Sequence, residues 1–125
     1  MRTAVIILGH GSKNSRADDT IREITATVKR LGAYAVVEHA FLQHTAPSPQ
    51  DALESCIQQN VDRIVIVPLF MQAGAHVSKD IPSLAEQAKK KYPKIDFIVT
   101  DYAGSHPLMA EIVVDLVGEG KEHCG

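Results

Sequence analysis

Two histidines stand just beyond strongly apolar runs. The first lies in Val5-Ile6-Ile7-Leu8-Gly9-His10-Gly11-Ser12, and the second ends Ile64-Val65-Ile66-Val67-Pro68-Leu69-Phe70-Met71-Gln72-Ala73-Gly74-Ala75-His76. An imidazole in such a place can ligate a divalent metal or carry a proton near neutral pH. Glycines on both sides of His10 let the backbone turn sharply and leave the ring unobstructed. The plain alternatives are an incidental histidine in a tight turn for His10 and a helix-capping loop residue for His76. Neither G-x-G-x-x-G nor G-x-x-x-x-G-K-[ST] spacing occurs in the first loop, which argues against a nucleotide. A histidine nucleophile for phosphoryl transfer would want an arginine just before it, where Gly9 stands. A closed structural zinc site takes a full tetrahedral set of ligands. Two histidines suit instead a site that takes up a metal and gives it away, with coordination positions left open.

Several neighbours join this candidate set. His44 follows the second apolar run, where it adds a ligand or a base, or is simply solvated. Gln43 reaches the same edge, but its neutral amide is a poor base. Asp80 caps a helix or accepts a hydrogen bond from the far nitrogen of a histidine, fixing its tautomer. His39 reads as a packed or edge residue of a strand, His106 as a first-turn helix residue and His123 as tail.

Both histidine-bearing runs are continuous rather than alternating, as buried parallel strands are. Strand one is read as Thr3–Leu8, followed by a polar loop and a helix to Leu31 with Ile21, Ile24, Val28 and Leu31 on one stripe. Gly32 is a helix stop. Strand two is Ala35–Leu42. Ser48 and Pro49 open helix two, which turns Ala52, Leu53, Cys56 and Ile57 inward. Strand three is Arg63–Leu69. Helix three is expected to start near Asp80-Ile81-Pro82 and to end in a solvated Lys89-Lys90-Lys91. Strand four is Ile95–Thr100, and helix four, from Ser105-His106-Pro107, uses Leu108, Ile112, Val113 and Leu116. The alternation predicts an α/β fold: one three-layer α/β/α domain over residues 1–125, with a four-stranded parallel sheet and right-handed crossovers. The tail, about 118–125, is expected to fray. A strand order of 2-1-3-4 puts the switch point between strands one and three, where open α/β sheets bind ligands.

The 125 residues suffice for one core. A formal net charge of −2 gives no case for nucleic acid. No apolar run spans a bilayer, and no secretory signal pattern precedes strand one. The two cysteines, Cys56 and Cys124, form no framework, so a reducing, cytoplasmic setting is expected. Cys56 is expected to be a small core residue.

Taken in order, Leu8-Gly9-His10-Gly11-Ser12, Ala40-Phe41-Leu42 before Pro47-Ser48, Val67-Pro68-Leu69-Phe70, Gly74-Ala75-His76-Val77 and Asp80-Ile81-Pro82 form a pattern. It resembles the short sirohydrochlorin cobaltochelatases of the cobalamin-biosynthesis type, over nearly the whole chain. The resemblance implies a chelatase-like half-domain that works as a homodimer. It implies insertion of a divalent metal, Co2+ before Ni2+ or Fe2+, into the tetrapyrrole sirohydrochlorin, without ATP. His10 and His76 match the metal-binding and catalytic histidines. Many relatives carry a glutamate after strand two, where this chain has Gln43 and His44. The implied substrate carries many carboxylates around an apolar ring. Helix N-termini, Lys13, Arg16 and Lys79 suit the carboxylates, with Ser12 in the first of these loops and Gln43 and His44 in the loop after strand two, at the same sheet edge. Leu69, Phe70 and Met71 offer an apolar wall or belong to the core. A non-catalytic metal or tetrapyrrole carrier would use the same histidines, and turnover separates it from an enzyme.

Overall fold

The computed structural model describes residues 1–72 and 74–120, with the backbone alone for Ser15, Ala75, His76 and Val77. The chain alternates β1 (Thr3–Gly9), α1 (Ser15–Leu31), β2 (Val36–Phe41), α2 (Pro49–Gln58), β3 (Arg63–Pro68), α3 (Ala75–Lys91) and β4 (Asp96–Val99). A 3-10 turn over Ala103–Ser105 then leads to α4 (Leu108–Glu119). The four strands are parallel, as the alternation predicts, and their order, β2-β1-β3-β4, is the one that puts the switch point between β1 and β3.

Both faces of β1 are buried. Ala4, Ile6 and Leu8 meet Ala52, Leu53 and Cys56 of α2 and Ile81 of α3 in one cluster, while Val5 and Ile7 pack with Ile21 of α1 on the other side. This two-sided burial explains the continuous apolar run. Gly9 pairs with Phe41 and Leu8 with Pro68, so the last residues of three strands lie level and the loops leave from one edge. Ser48 caps α2 by accepting from the Asp51 amide at 3.1 Å, with Pro49 at the first helical position. Gly32 ends α1 at φ 70, in the left-handed region.

Three expectations need correction. The inward stripe of α1 is Asp18, Ile21, Thr25 and Val28, whereas Ile24 and Leu31 are exposed. Both stripes have helical spacing, and only the sheet's position selects between them. α3 starts at Ala75, not near Asp80. The Ser78 amide bonds the Gly74 carbonyl at 3.0 Å, closing a first turn well before Pro82. Pro82 lies inside the helix, where its missing N–H forgoes one backbone bond. It is tolerated because it is exposed while its neighbour Ile81 is buried. The far end of α3 is as expected: Lys89, Lys90 and Lys91 are exposed, and Lys89 Nζ also donates to the Pro93 and Ile95 carbonyls at 2.9 Å each. Finally, α4 leaves its apolar residues outside. Leu108, Ile112, Val113, Val114, Leu116 and Val117 are 47–75% exposed. Their pattern spans about two thirds of the helix circumference, with Glu111 and Asp115 on the remaining side, so one sheet face could not have covered them all. On the α1 side of the sheet, Val65, Val67 and Leu69 are only half-buried and Ile98 is exposed.

Candidate functional site

The site is built where β1, β2 and β3 end. His10 is the first residue past β1, and it is exposed. The flanking glycines are there for packing. A Cβ on Gly9 would lie 2.9 Å from Ile21 Cγ1, and one on Gly11 would lie 1.7 Å from the Gln43 carbonyl oxygen. Gly11 also has φ +85, which side-chain-bearing residues rarely adopt. The β1–α1 and β2–α2 loops therefore touch backbone to backbone. Leu42 and Gln43 donate their amides to the carbonyls of Gly9 and His10, each at 3.0 Å, extending the sheet ladder past its formal end.

The His10 ring lies on Phe70, centroids 4.0 Å apart and planes 27° from parallel. Phe70 is 3% exposed and belongs to the α2/α3 core cluster, so it presents a fixed surface to the imidazole. Phe70 also lines a cavity of about 470 Å³ with Pro68, Ile81, Val99, Asp101 and Tyr102, at the ends of β3 and β4. Its neighbour Met71 is 65% exposed. Gly104 holds this corner together. Its amide donates to the Phe70 carbonyl at 2.8 Å, and a Cβ there would lie 2.0 Å from the Met71 carbonyl oxygen.

Ser12, Lys13 and His44 line a second cavity, of about 370 Å³, together with Asp18, Arg22 and Thr45. His44 is exposed and has φ 65, and across it the Thr45 amide reaches the Gln43 carbonyl at 2.7 Å. Gln43 and Lys79 are exposed. Asp80 is exposed within α3 and caps nothing at its start. The His76 backbone is in the first turn of α3, which follows β3, the neighbour of β1; its side chain lies outside the described residues. The structure thus brings His10 and Phe70 into contact and sets Ser12, Lys13 and His44 round one cavity. Among the described residues, no three of the His, Cys, Asp and Glu side chains cluster as a metal site would require.

Sequence reasoning missed Asp18 and Thr45. Asp18 Oδ2 accepts from the Thr45 hydroxyl at 2.5 Å and from the Ser12 amide at 3.4 Å. The available signal was an acid heading the Ile21-Thr25-Val28 stripe, an expensive place for a charge without partners. Away from the site, His39 packs edge-on to Phe41, with centroids 5.6 Å apart. Its pKa is lowered, first by burial and then by the Arg22 guanidinium, with Glu38 opposing.

The family model for CbiX matches residues 4–120. The chain belongs to the CbiX family. It is 33% identical over 120 residues to the chloroplastic sirohydrochlorin ferrochelatase of Arabidopsis thaliana, covering 96% of this chain and 52% of that protein. It is 27% identical to the sirohydrochlorin cobaltochelatase of Methanopyrus kandleri, covering 93% of this chain and 95% of that one. The sirohydrochlorin chelatase SirB of Bacillus subtilis subspecies spizizenii, solved in complex with cobalt, superposes with a TM-score of 0.84 at 26% identity. That match covers 95% of this chain and 51% of SirB. The CbiX chain therefore spans about half the length of some relatives and nearly all of another.

Proposed function

We propose that this CbiX-family chain is a sirohydrochlorin chelatase, inserting Co2+ into the tetrapyrrole without a nucleotide. The observation that carries the reading is His10 itself: an exposed imidazole at the end of a buried strand, free of side-chain neighbours in sequence, with its ring face seated on Phe70. A metal delivered to a macrocycle must be held by few ligands and then released. His10, with His76 brought to the same sheet edge by α3, offers such a set, and neutral imidazole binds cobalt, nickel and iron(II) alike. Metal insertion displaces two pyrrole protons, and an imidazole freed of its metal can accept one of them. The substrate's carboxylates would meet Lys13, Arg16 and Lys79 and the N-terminal ends of α1 and α3. Ser12, Gln43 and His44 line the approach, and Met71 lies on the exposed side of the same edge. Phe70 serves the site through His10. An iron(II) reading is supported by the Arabidopsis relative's name, and the cobalt reading by the relative matched along nearly its whole length and by the cobalt-bound neighbour.

The deciding experiment is sirohydrochlorin metallation followed by absorbance, with Co2+, Fe2+ and Ni2+ in parallel. Multiple turnovers by the wild type that are lost in H10A and H76A are expected, with Co2+ fastest. Stoichiometric binding without turnover would make the chain a carrier, and unchanged rates in both variants would refute the site.

We further infer that the chain works as a homodimer. The exposed apolar surface of α4 and the match to only half of SirB both support a second copy in place of a second lobe. I112E combined with V117E is expected to convert dimer to monomer in sedimentation. A wild type that sediments as a monomer at micromolar concentration would refute this.

A further inference from the structure

Among the described residues, Asp18 and Thr25 are the only polar side chains in the core, and Asp18 is 4% exposed. A carboxylate in the first turn of α1 is favoured by the helix dipole. That alone explains neither its burial nor its bonds, which leave α1 and reach two other segments. Asp18 Oδ2 accepts from Thr45 Oγ1 at 2.5 Å and from the Ser12 amide at 3.4 Å. The Thr45 hydroxyl has one proton to give. The short separation, typical of a hydroxyl on a carboxylate, assigns that proton to Asp18 rather than to the Ser12 carbonyl at 3.3 Å.

His10 lies between two anchor points. The Gly9 carbonyl before it and its own carbonyl are held by the amides of Leu42 and Gln43. On its C-terminal side, the Ser12 amide is held by Asp18. Gly11, between them, has φ +85 and no room for a side chain against Gln43. We propose that Asp18 is a positioning residue for His10. By holding the Ser12 amide and the Thr45 hydroxyl together, it locks the β1–α1 and β2–α2 loops and keeps the imidazole seated on Phe70. That this placement serves metal transfer rests on the chelatase reading; the placement itself does not.

The test compares D18A, D18N and T45V with the wild type by two measurements. Nuclear magnetic resonance reads the His10 ring signals, which the Phe70 ring shifts, against the core methyl signals. Titration with Co2+ alone reads the affinity of the site. In D18A and T45V the His10 signals are expected to move toward free-imidazole positions and broaden, with core methyls in place, and Co2+ affinity to fall roughly tenfold, as when an outer-shell partner of a metal ligand is removed. In D18N the amide oxygen still accepts both bonds, so both readouts should return toward wild type. T45V keeps the side-chain shape and carries the test if D18A does not fold. His10 signals unchanged in T45V and D18A would overturn the proposal, even if both melt at lower temperature, because Asp18 would then be structural only. A wild type that neither binds Co2+ nor metallates sirohydrochlorin would defeat the chelatase reading, while the ring signals still decide the role of Asp18.

Discussion

Replacing Gly11 with alanine should damage this protein more than any other single-methyl addition in its loops. The new Cβ would stand 1.7 Å from the Gln43 carbonyl oxygen and 2.8 Å from its carbon, both backbone atoms. Relief to an ordinary contact of 3.4 Å needs a shift of about 1.7 Å in a segment tied to β1 by the Leu42 and Gln43 amides. Losing one of those bonds costs about 1 kcal/mol. Holding an L-residue at positive φ costs about 1–2 kcal/mol more. The sum, about 2–3 kcal/mol, corresponds to a fall in melting temperature of roughly 10 °C for a domain of this size. Urea unfolding at fixed protein concentration, followed by circular dichroism, measures it. Gly118→Ala is the control: nothing lies within 4 Å of its Cβ, and alanine should stabilise α4 by about 0.5–1 kcal/mol. A G11A protein within about 0.5 kcal/mol of wild type would show that the loops do not touch there, and the account of why glycine flanks His10 would fall with it.

Cys56 should be chemically silent in the folded chain. Its thiol is fully buried and its pKa is pushed up to about 12, first by burial and then by the charge and hydrogen bond of Glu38, whose Oε2 accepts from Sγ at 3.6 Å. Iodoacetamide followed by peptide mass mapping should find it unmodified until urea is added; modification of the native protein would contradict this burial. His39 should make stability depend on pH. Its folded pKa lies below the ordinary 6.5, so the unfolded chain binds the proton more readily and stability is lost as pH falls below 6.5. H39Q should flatten the slope of urea stability against pH in that range, and an unaltered slope would assign it to another group.

The order of strands and helices was legible because buried parallel strands leave uninterrupted apolar runs and their helices leave caps. Ser48-Pro49 and Gly32 marked ends that the structure keeps, since those residues act on their own backbone neighbours. The place of His10 was legible for the same local reason: it follows directly on a buried apolar run, and the structure leaves it exposed at that strand's end. The start of α3 was not, because proline usually marks a first turn, and only the burial of Ile81 outweighs that preference. The fate of α4 was not either, since an apolar helix signals that something covers it without saying what.

The sequence by itself determined the local pattern: which segments are strands, which are helices, and which residues follow a strand end. The tertiary structure alone decided that Gly11 abuts Gln43, that Phe70 lies beneath the His10 ring, and that Asp18 turns inward to bind Thr45 and Ser12. The physical reason is range. Periodicity and capping act within one or two turns of chain, whereas the contacts of Gly11 with Gln43, His10 with Phe70 and Asp18 with Thr45 join residues far apart in sequence and exist only once β1, β2 and β3 are aligned in register.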